Sequence, residues 1–97
     1  MKTIGMSNKR LEARVSGLVQ GVSFRYYTQQ KAISLGVNGW VRNESNGDVS
    51  LAAEGSDTAL QQLLDFLRVG SPYAEVENVV HTWSDGQNEF KRFQIGY

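Results

Sequence analysis

From Leu11 onward apolar and polar residues alternate: Leu11, Ala13 and Val15 are separated by Glu12 and Arg14, and Ser16 follows. Alternation of this kind is the period of a strand with one buried face, so the spacing predicts a first strand ending at Gly17. After a short loop the period changes. Phe24, Thr28, Ala32 and Leu35 fall close to one helical stripe, and Gly36 stands where a left-handed C-cap would close the helix. Trp40 and Val41 mark a second strand from Asn38 to Glu44, Asn46-Gly47 is a tight-hairpin signal, and Val49, Leu51 and Ala53 alternate beyond it as a third strand. Gly55 breaks that strand, and Ser56 is placed to cap a helix whose Leu60, Leu63, Leu64 and Leu67 follow the i, i+3, i+4, i+7 pattern. Gly70 and Pro72 stop it. Val76 to Trp83 reads as a fourth strand with mixed periodicity, and Phe93, Ile95 and Tyr97 alternate as a short final strand.

The order is βαββαβ. Its simplest packing is an α+β, ferredoxin-like sandwich: a four-stranded antiparallel sheet with two helices on one face. Strands one and two are joined through a helix, so they should run parallel, with a right-handed crossover and both C-terminal ends on one edge of the sheet. The loop after Gly17 and the end of strand two near Asn43 should then be neighbours.

Composition narrows the function. With 97 residues the chain has length for one core, expected over residues 9–97, with residues 1–8 a loose N-terminal tail and Met6 an alternative start. Ten basic and ten acidic residues cancel, which removes the footprint that supplies affinity for nucleic acid or an anionic membrane. No stretch approaches the ~20 apolar residues of a membrane span, and residues 1–8 carry no apolar run suited to a signal peptide. The absence of cysteine removes disulfides, thiolate metal sites and cysteine nucleophiles together, and fits a reducing, cytoplasmic setting. No apolar excess calls for a second subunit, so a monomer is expected.

The chemistry concentrates in Gly17-Leu18-Val19-Gln20-Gly21-Val22-Ser23-Phe24-Arg25, which joins a strand end to a helix start. Backbone N–H groups there lack helical partners, a setting that favours anions. Arg25 lies in the first helical turn, where a cation opposes the macrodipole by about 0.3 to 1 kcal/mol. A local rule broken in this way points to a site, and a guanidinium fork beside N–H donors suits phosphate oxygens. On spacing alone a connecting loop with a solvated arginine explains the segment as well. A Walker loop and a dinucleotide fingerprint are both excluded by the glycine spacing and the missing Lys-Ser/Thr.

The run Val19-Gln20-Gly21-Val22-Ser23-Phe24-Arg25, then Ala32 and Leu35-Gly36, then Gly39-Trp40-Val41-Arg42-Asn43, resembles the signature of the acylphosphatase family. The resemblance continues through Gly47, Val49, Gly55 and Gly70-Ser71-Pro72 into Phe93-Gln94-Ile95-Gly96-Tyr97, and so covers nearly everything after the tail. It implies the ferredoxin-like fold, hydrolysis of acyl phosphates to a carboxylate and inorganic phosphate, and no cofactor or metal. By that resemblance Arg25 and the backbone of the loop (Val19, Gln20, Gly21, Val22, Ser23, Phe24) bind phosphate, and Asn43 positions the attacking water. Asn46-Gly47 stands where the family often has Asp-Gly, and both dipeptides suit the same turn.

The residues agree with that chemistry. A phosphate monoester has a poor alkoxide leaving group that calls for a metal or a proton donor. The chain has one histidine, no cysteine and no metal-ligand spacing of carboxylates, and Asn43 does not titrate. An acyl phosphate releases a stable carboxylate, so placement and charge stabilisation suffice, with the substrate phosphate itself taking the water's proton.

Other residues read as structural. His81 is expected as a sheet-surface or half-buried side chain, and Trp40 and Trp83 as core or sheet-packing aromatics. Tyr26 and Tyr27 fit either helix packing or a rim against an apolar acyl group, and Arg42 should point away from Asn43 into solvent. An RNA-reading sheet is a poor alternative because Asp48-Val49-Ser50-Leu51-Ala52-Ala53-Glu54 lacks basic and aromatic residues. The remaining alternatives are a regulatory module that binds a small molecule or phosphate without catalysis, and a domain of a larger carbamoyl-transferring machine. With the chain ending at Tyr97, the free-standing enzyme is preferred.

Overall fold

The computed structural model describes residues 8–96. Along the chain run β1 (Lys9–Leu18), α1 (Phe24–Ser34), β2 (Asn38–Asn43), β3 (Val49–Gly55), α2 (Asp57–Leu67), β4 (Glu75–Asp85) and β5 (Phe93–Ile95). Of the expected tail, residues 1–7 lie outside the described residues. Asn8 lies within them, and its carbonyl accepts from the N–H of Gly86 at 2.8 Å.

The strands form one sheet in the order β4-β1-β3-β2-β5. β1 pairs antiparallel with β3 and β4, and β2 pairs antiparallel with β3, as the sequence predicts. The four-stranded antiparallel expectation needs one correction: β5 adds a fifth strand at the edge, parallel to β2. So short a strand is fixed by what flanks it. Phe93 is buried in the core, the N–H of Gly39 donates to the carbonyl of Arg92 at 2.9 Å, and the N–H of Gly96 donates to the carbonyl of Val41 at 2.7 Å.

Leu11, Ala13 and Val15 of β1 share one core with Val41, Val49, Leu51 and Ala53 and with residues of both helices, so both helices cover the same face. α1 contributes the stripe Phe24, Thr28 and Ala32, with Leu35 packed against it. α2 contributes Ala59, Leu60, Leu63, Leu64 and Leu67, and the hydroxyl oxygen of Ser56 accepts from the N–H of Ala59 at 3.1 Å, the N-cap read from sequence.

β3 departs from simple alternation, since all seven of its residues are buried. As the middle strand it is covered on its second face by neighbouring side chains and by the loop after β4. Glu54, 3% exposed, accepts from the N–H groups of Gln87 and Glu89 at 2.9 and 3.1 Å and pairs with Arg10 at 3.2 Å. The Asn46-Gly47 hairpin closes through a three-residue turn: the N–H of Gly47 donates to the carbonyl of Glu44 at 3.2 Å, and only Gly47 of the dipeptide has positive φ.

Candidate active site

Because β1 and β2 each lie antiparallel to β3, they run parallel to one another, and Leu18 and Asn43 end at the same edge of the sheet. The loop over residues 19–23 leaves this edge and turns into α1. Val19 and Phe24 are buried at its two ends, Gly21 has φ +76°, and Ser23 takes φ +63° as the residue before the helix. Ser23 makes no side-chain capping hydrogen bond, and the first turn of α1 carries no acidic residue. This helix start is therefore neither capped nor neutralised by the groups that usually do so.

Arg25 is half-buried, and its Nη1 donates to the carbonyl of Gly96 at 3.0 Å, which anchors the guanidinium across to the segment following β5. A cleft of about 180 Å³ opens between these parts. Arg25 and Asn43 both line it, together with Val19, Gly21, Ser23 and Phe24 of the loop. Six of the eight residues singled out from sequence thus meet in one cleft, although Asn43 comes from a different element.

The other two loop residues, Gln20 and Val22, send their side chains elsewhere. The Gln20 amide donates to the carbonyls of Glu44 and Asp48 at 2.7 and 2.8 Å. Val22 packs against the core, and its carbonyl accepts from the buried Ser71 hydroxyl at 2.7 Å. The loop therefore alternates: residues 19, 21 and 23 face the cleft, and residues 20 and 22 hold the loop to its surroundings.

Two cleft residues were not identified by sequence reasoning as site members. Ile95 arrives on β5, whose alternation announced a strand without announcing its place beside β2. Tyr26, left open between helix packing and a rim, lines the cleft at 54% exposure, with its ring edge-on to Tyr27 at 5.6 Å.

Among the described residues the lining holds no carboxylate, histidine or lysine, and its cation is Arg25. Its means are positioning, N–H donors and one fixed positive charge. Among the described residues no three His, Cys, Asp or Glu side chains are grouped to hold a metal ion.

A wider concavity of about 390 Å³ lies on the open face of the sheet, but its polar groups serve one another. Arg42 stacks on the Trp40 ring at 4.5 Å and pairs with Glu44 at 3.0 Å, while Ser50 donates to the same carboxylate. The Ser50 hydroxyl, then Arg42, hold the Glu44 carboxyl below its usual range. Arg42 thus points away from Asn43 as expected, with a carboxylate and an indole as neighbours. His81 is half-buried on β4 as expected, and Trp83 beside it is 41% exposed and outside the core.

The acylphosphatase family profile matches residues 11–95. An acylphosphatase of Salinibacter ruber is 46% identical over 89 residues, covering 92% of this chain and 94% of that protein. The crystal structure of the Bacillus subtilis acylphosphatase superposes with a TM-score of 0.88 at 37% identity, covering 92% of this chain and 99% of that one. An acylphosphatase of Coxiella burnetii gives 0.86 at 35% identity, covering 99% and 100%. Family profile, relatives and backbone agree over nearly the full described fold, and the chain belongs to the acylphosphatase family.

Proposed function

We propose that this chain hydrolyses the carboxyl–phosphate bond of acyl phosphates, with Arg25 and the backbone N–H groups of the loop over residues 19–24 holding the phosphoryl group and Asn43 orienting the attacking water. The observation that carries this reading is the meeting of Arg25 and Asn43, from separate elements, in a cleft whose lining offers charge and hydrogen bonds and, among the described residues, no carboxylate, histidine or lysine. Such a lining suits a substrate that needs no proton on its leaving group. The water oxygen bonds to phosphorus, the bond from phosphorus to the carboxyl oxygen breaks, and the pair of electrons leaves with the carboxylate. A non-bridging oxygen of the substrate takes the water's proton, so the products are a carboxylate and inorganic phosphate. Arg25 and the N–H donors stabilise charge on the equatorial oxygens, and Asn43 fixes the line of attack.

We read the protein as a cytoplasmic monomer acting on a small molecule. No described helix is long and apolar enough to cross a membrane, and the exposed large apolar residues Leu18, Tyr26, Tyr27, Ile33, Val69, Tyr73, Val80 and Trp83 are distributed over β1, α1, the segment between α2 and β4, and β4.

The test is turnover of an aromatic acyl phosphate, with and without a chelator, by wild type, Arg25→Ala and Asn43→Ala, each checked for folding by circular dichroism. Chelator-resistant wild-type turnover that falls by at least about 100-fold in both folded variants is expected. Wild-type protein that is folded yet no faster than the uncatalysed reaction would overturn the proposal.

A further inference from the structure

The sheet order places β3 between β1 and β2, so the phosphate loop at the end of β1 and Asn43 at the end of β2 stand two strand spacings apart, about 10 Å. No ladder hydrogen bond joins β1 directly to β2. What bridges the gap is Gln20. Its side-chain NH₂ donates to the carbonyl of Glu44 at 2.7 Å and to that of Asp48 at 2.8 Å. These two residues close the hairpin: the N–H of Glu44 donates to the Asp48 carbonyl at 2.8 Å, one step beyond the ladder pair Asn43–Val49. Each carbonyl already accepts one backbone N–H, and Gln20 supplies the second donor to each, using both hydrogens of its amide. A second, separate bond holds the loop itself, from the buried Ser71 hydroxyl to the carbonyl of Val22.

We infer that the Gln20 side chain is a positioning group that sets the register between the phosphate loop and Asn43, acting through the hairpin mouth while only the backbone of Gln20 faces the phosphoryl group. The inference rests on the roles given above to Arg25 and Asn43. Since Ser71 still holds the loop when the Gln20 amide is gone, the phosphate grip persists, and what is lost is the placement of the water relative to the bound phosphoryl group.

The experiment measures kcat and KM for an aromatic acyl phosphate, the inhibition constant of inorganic phosphate, and the melting temperature. The proteins compared are wild type, Gln20→Met, Asn43→Ala and the double variant. Methionine keeps the length and removes both donors. Expected for Gln20→Met is a fall in kcat of about 10- to 100-fold, with phosphate inhibition within about threefold of wild type. In the Asn43→Ala background the same change should cost less than about twofold, because its effect passes through Asn43. Should Gln20→Met be unfolded at the assay temperature, Gln20→Asn gives the same comparison, keeping the amide but too short by one methylene to reach both carbonyls. An unchanged kcat, a phosphate inhibition constant that rises in step with the fall in kcat, or an equal loss in the Asn43→Ala background would each overturn the inference. Wild-type turnover by Asn43→Ala alone would instead overturn the reading of the site on which it depends.

Discussion

Ser23 holds φ +63° and ψ 22°, a left-handed conformation that costs a residue with a Cβ roughly 1 to 2 kcal/mol, and it lies in the cleft without capping the helix it precedes. Strain of this kind is tolerated where surrounding contacts fix the backbone, here the buried Val19 and Phe24 and the Gln20 and Ser71 bonds. Ser23→Gly should therefore stabilise the protein by about 0.5 to 1 kcal/mol in urea unfolding, the relief exceeding the extra chain entropy. Its turnover should stay within about twofold of wild type, because only the backbone at this position is assigned a part in binding. A large loss of turnover would place the hydroxyl in the chemistry. At this scale a physical rule singled out Arg25 as a candidate, since a cation in the first turn of a helix opposes the dipole, while a solvated arginine in a connecting loop explained the spacing as well. Asn43 was not legible in that way: an asparagine at a strand end looks like any turn residue, and it was found through the family signature.

At the scale of elements, α2 was the easiest to read and β4 the hardest, for reasons the structure makes plain. Four leucines at helical spacing land on one buried face. In β4 a bulge changes the register: Ser16 pairs with Asn78 but Gly17 with Val76, so Glu77 is skipped. Val76 and Val79, three apart in sequence, therefore both pack against the core, which a period of two forbids. The bulge depends on Gly17, whose φ is +122° and whose position would bring a Cβ to 2.2 Å from the carbonyl oxygen of Glu75. Gly17→Ala should accordingly cost about 3 kcal/mol in denaturant unfolding, backbone strain and overpacking together. A cost below about 1 kcal/mol would mean that β4 shifts its register freely. β5 shows the opposite difficulty. Its alternation was visible, but three residues carry no information about which strand they join.

At the scale of the whole molecule, the buried glutamate of β3 ties the sheet to the loop after β4. Burial raises the Glu54 carboxyl, but the N–H groups of Gln87 and Glu89, with Arg10, outweigh it and hold the group below its ordinary value. A carboxyl depressed in the folded state adds stability that is complete above the unfolded value, about 4.3, and is lost as pH falls through the lower folded value. Melting temperature should thus decline on acidification from that region downward. Glu54→Ala, which leaves two N–H donors and a largely buried guanidinium short of a partner, should cost about 2 to 4 kcal/mol at neutral pH. The gap between wild type and Glu54→Ala should narrow as pH falls through the folded value of Glu54. A constant gap down to pH 3 would show that its charge is not what stabilises the fold.

The amino-acid sequence alone determined what depends on short-range pattern: the alternation of β1, the leucine face of α2, the Ser56 cap, the hairpin at Asn46-Gly47, and hence the βαββαβ order that brings residue 18 and residue 43 to one edge. It also carried the family signature, because the loop and the end of β2 are each contiguous runs. The tertiary structure decided what depends on contacts between distant positions. Those are the second buried face of β3, the parallel seat of β5 that brings Ile95 and the Gly96 carbonyl to Arg25, and the bulge in β4. The division of the loop into cleft-facing and clamping residues belongs with them. Periodicity records which side of an element is buried, but only the packed sheet fixes which neighbour buries it.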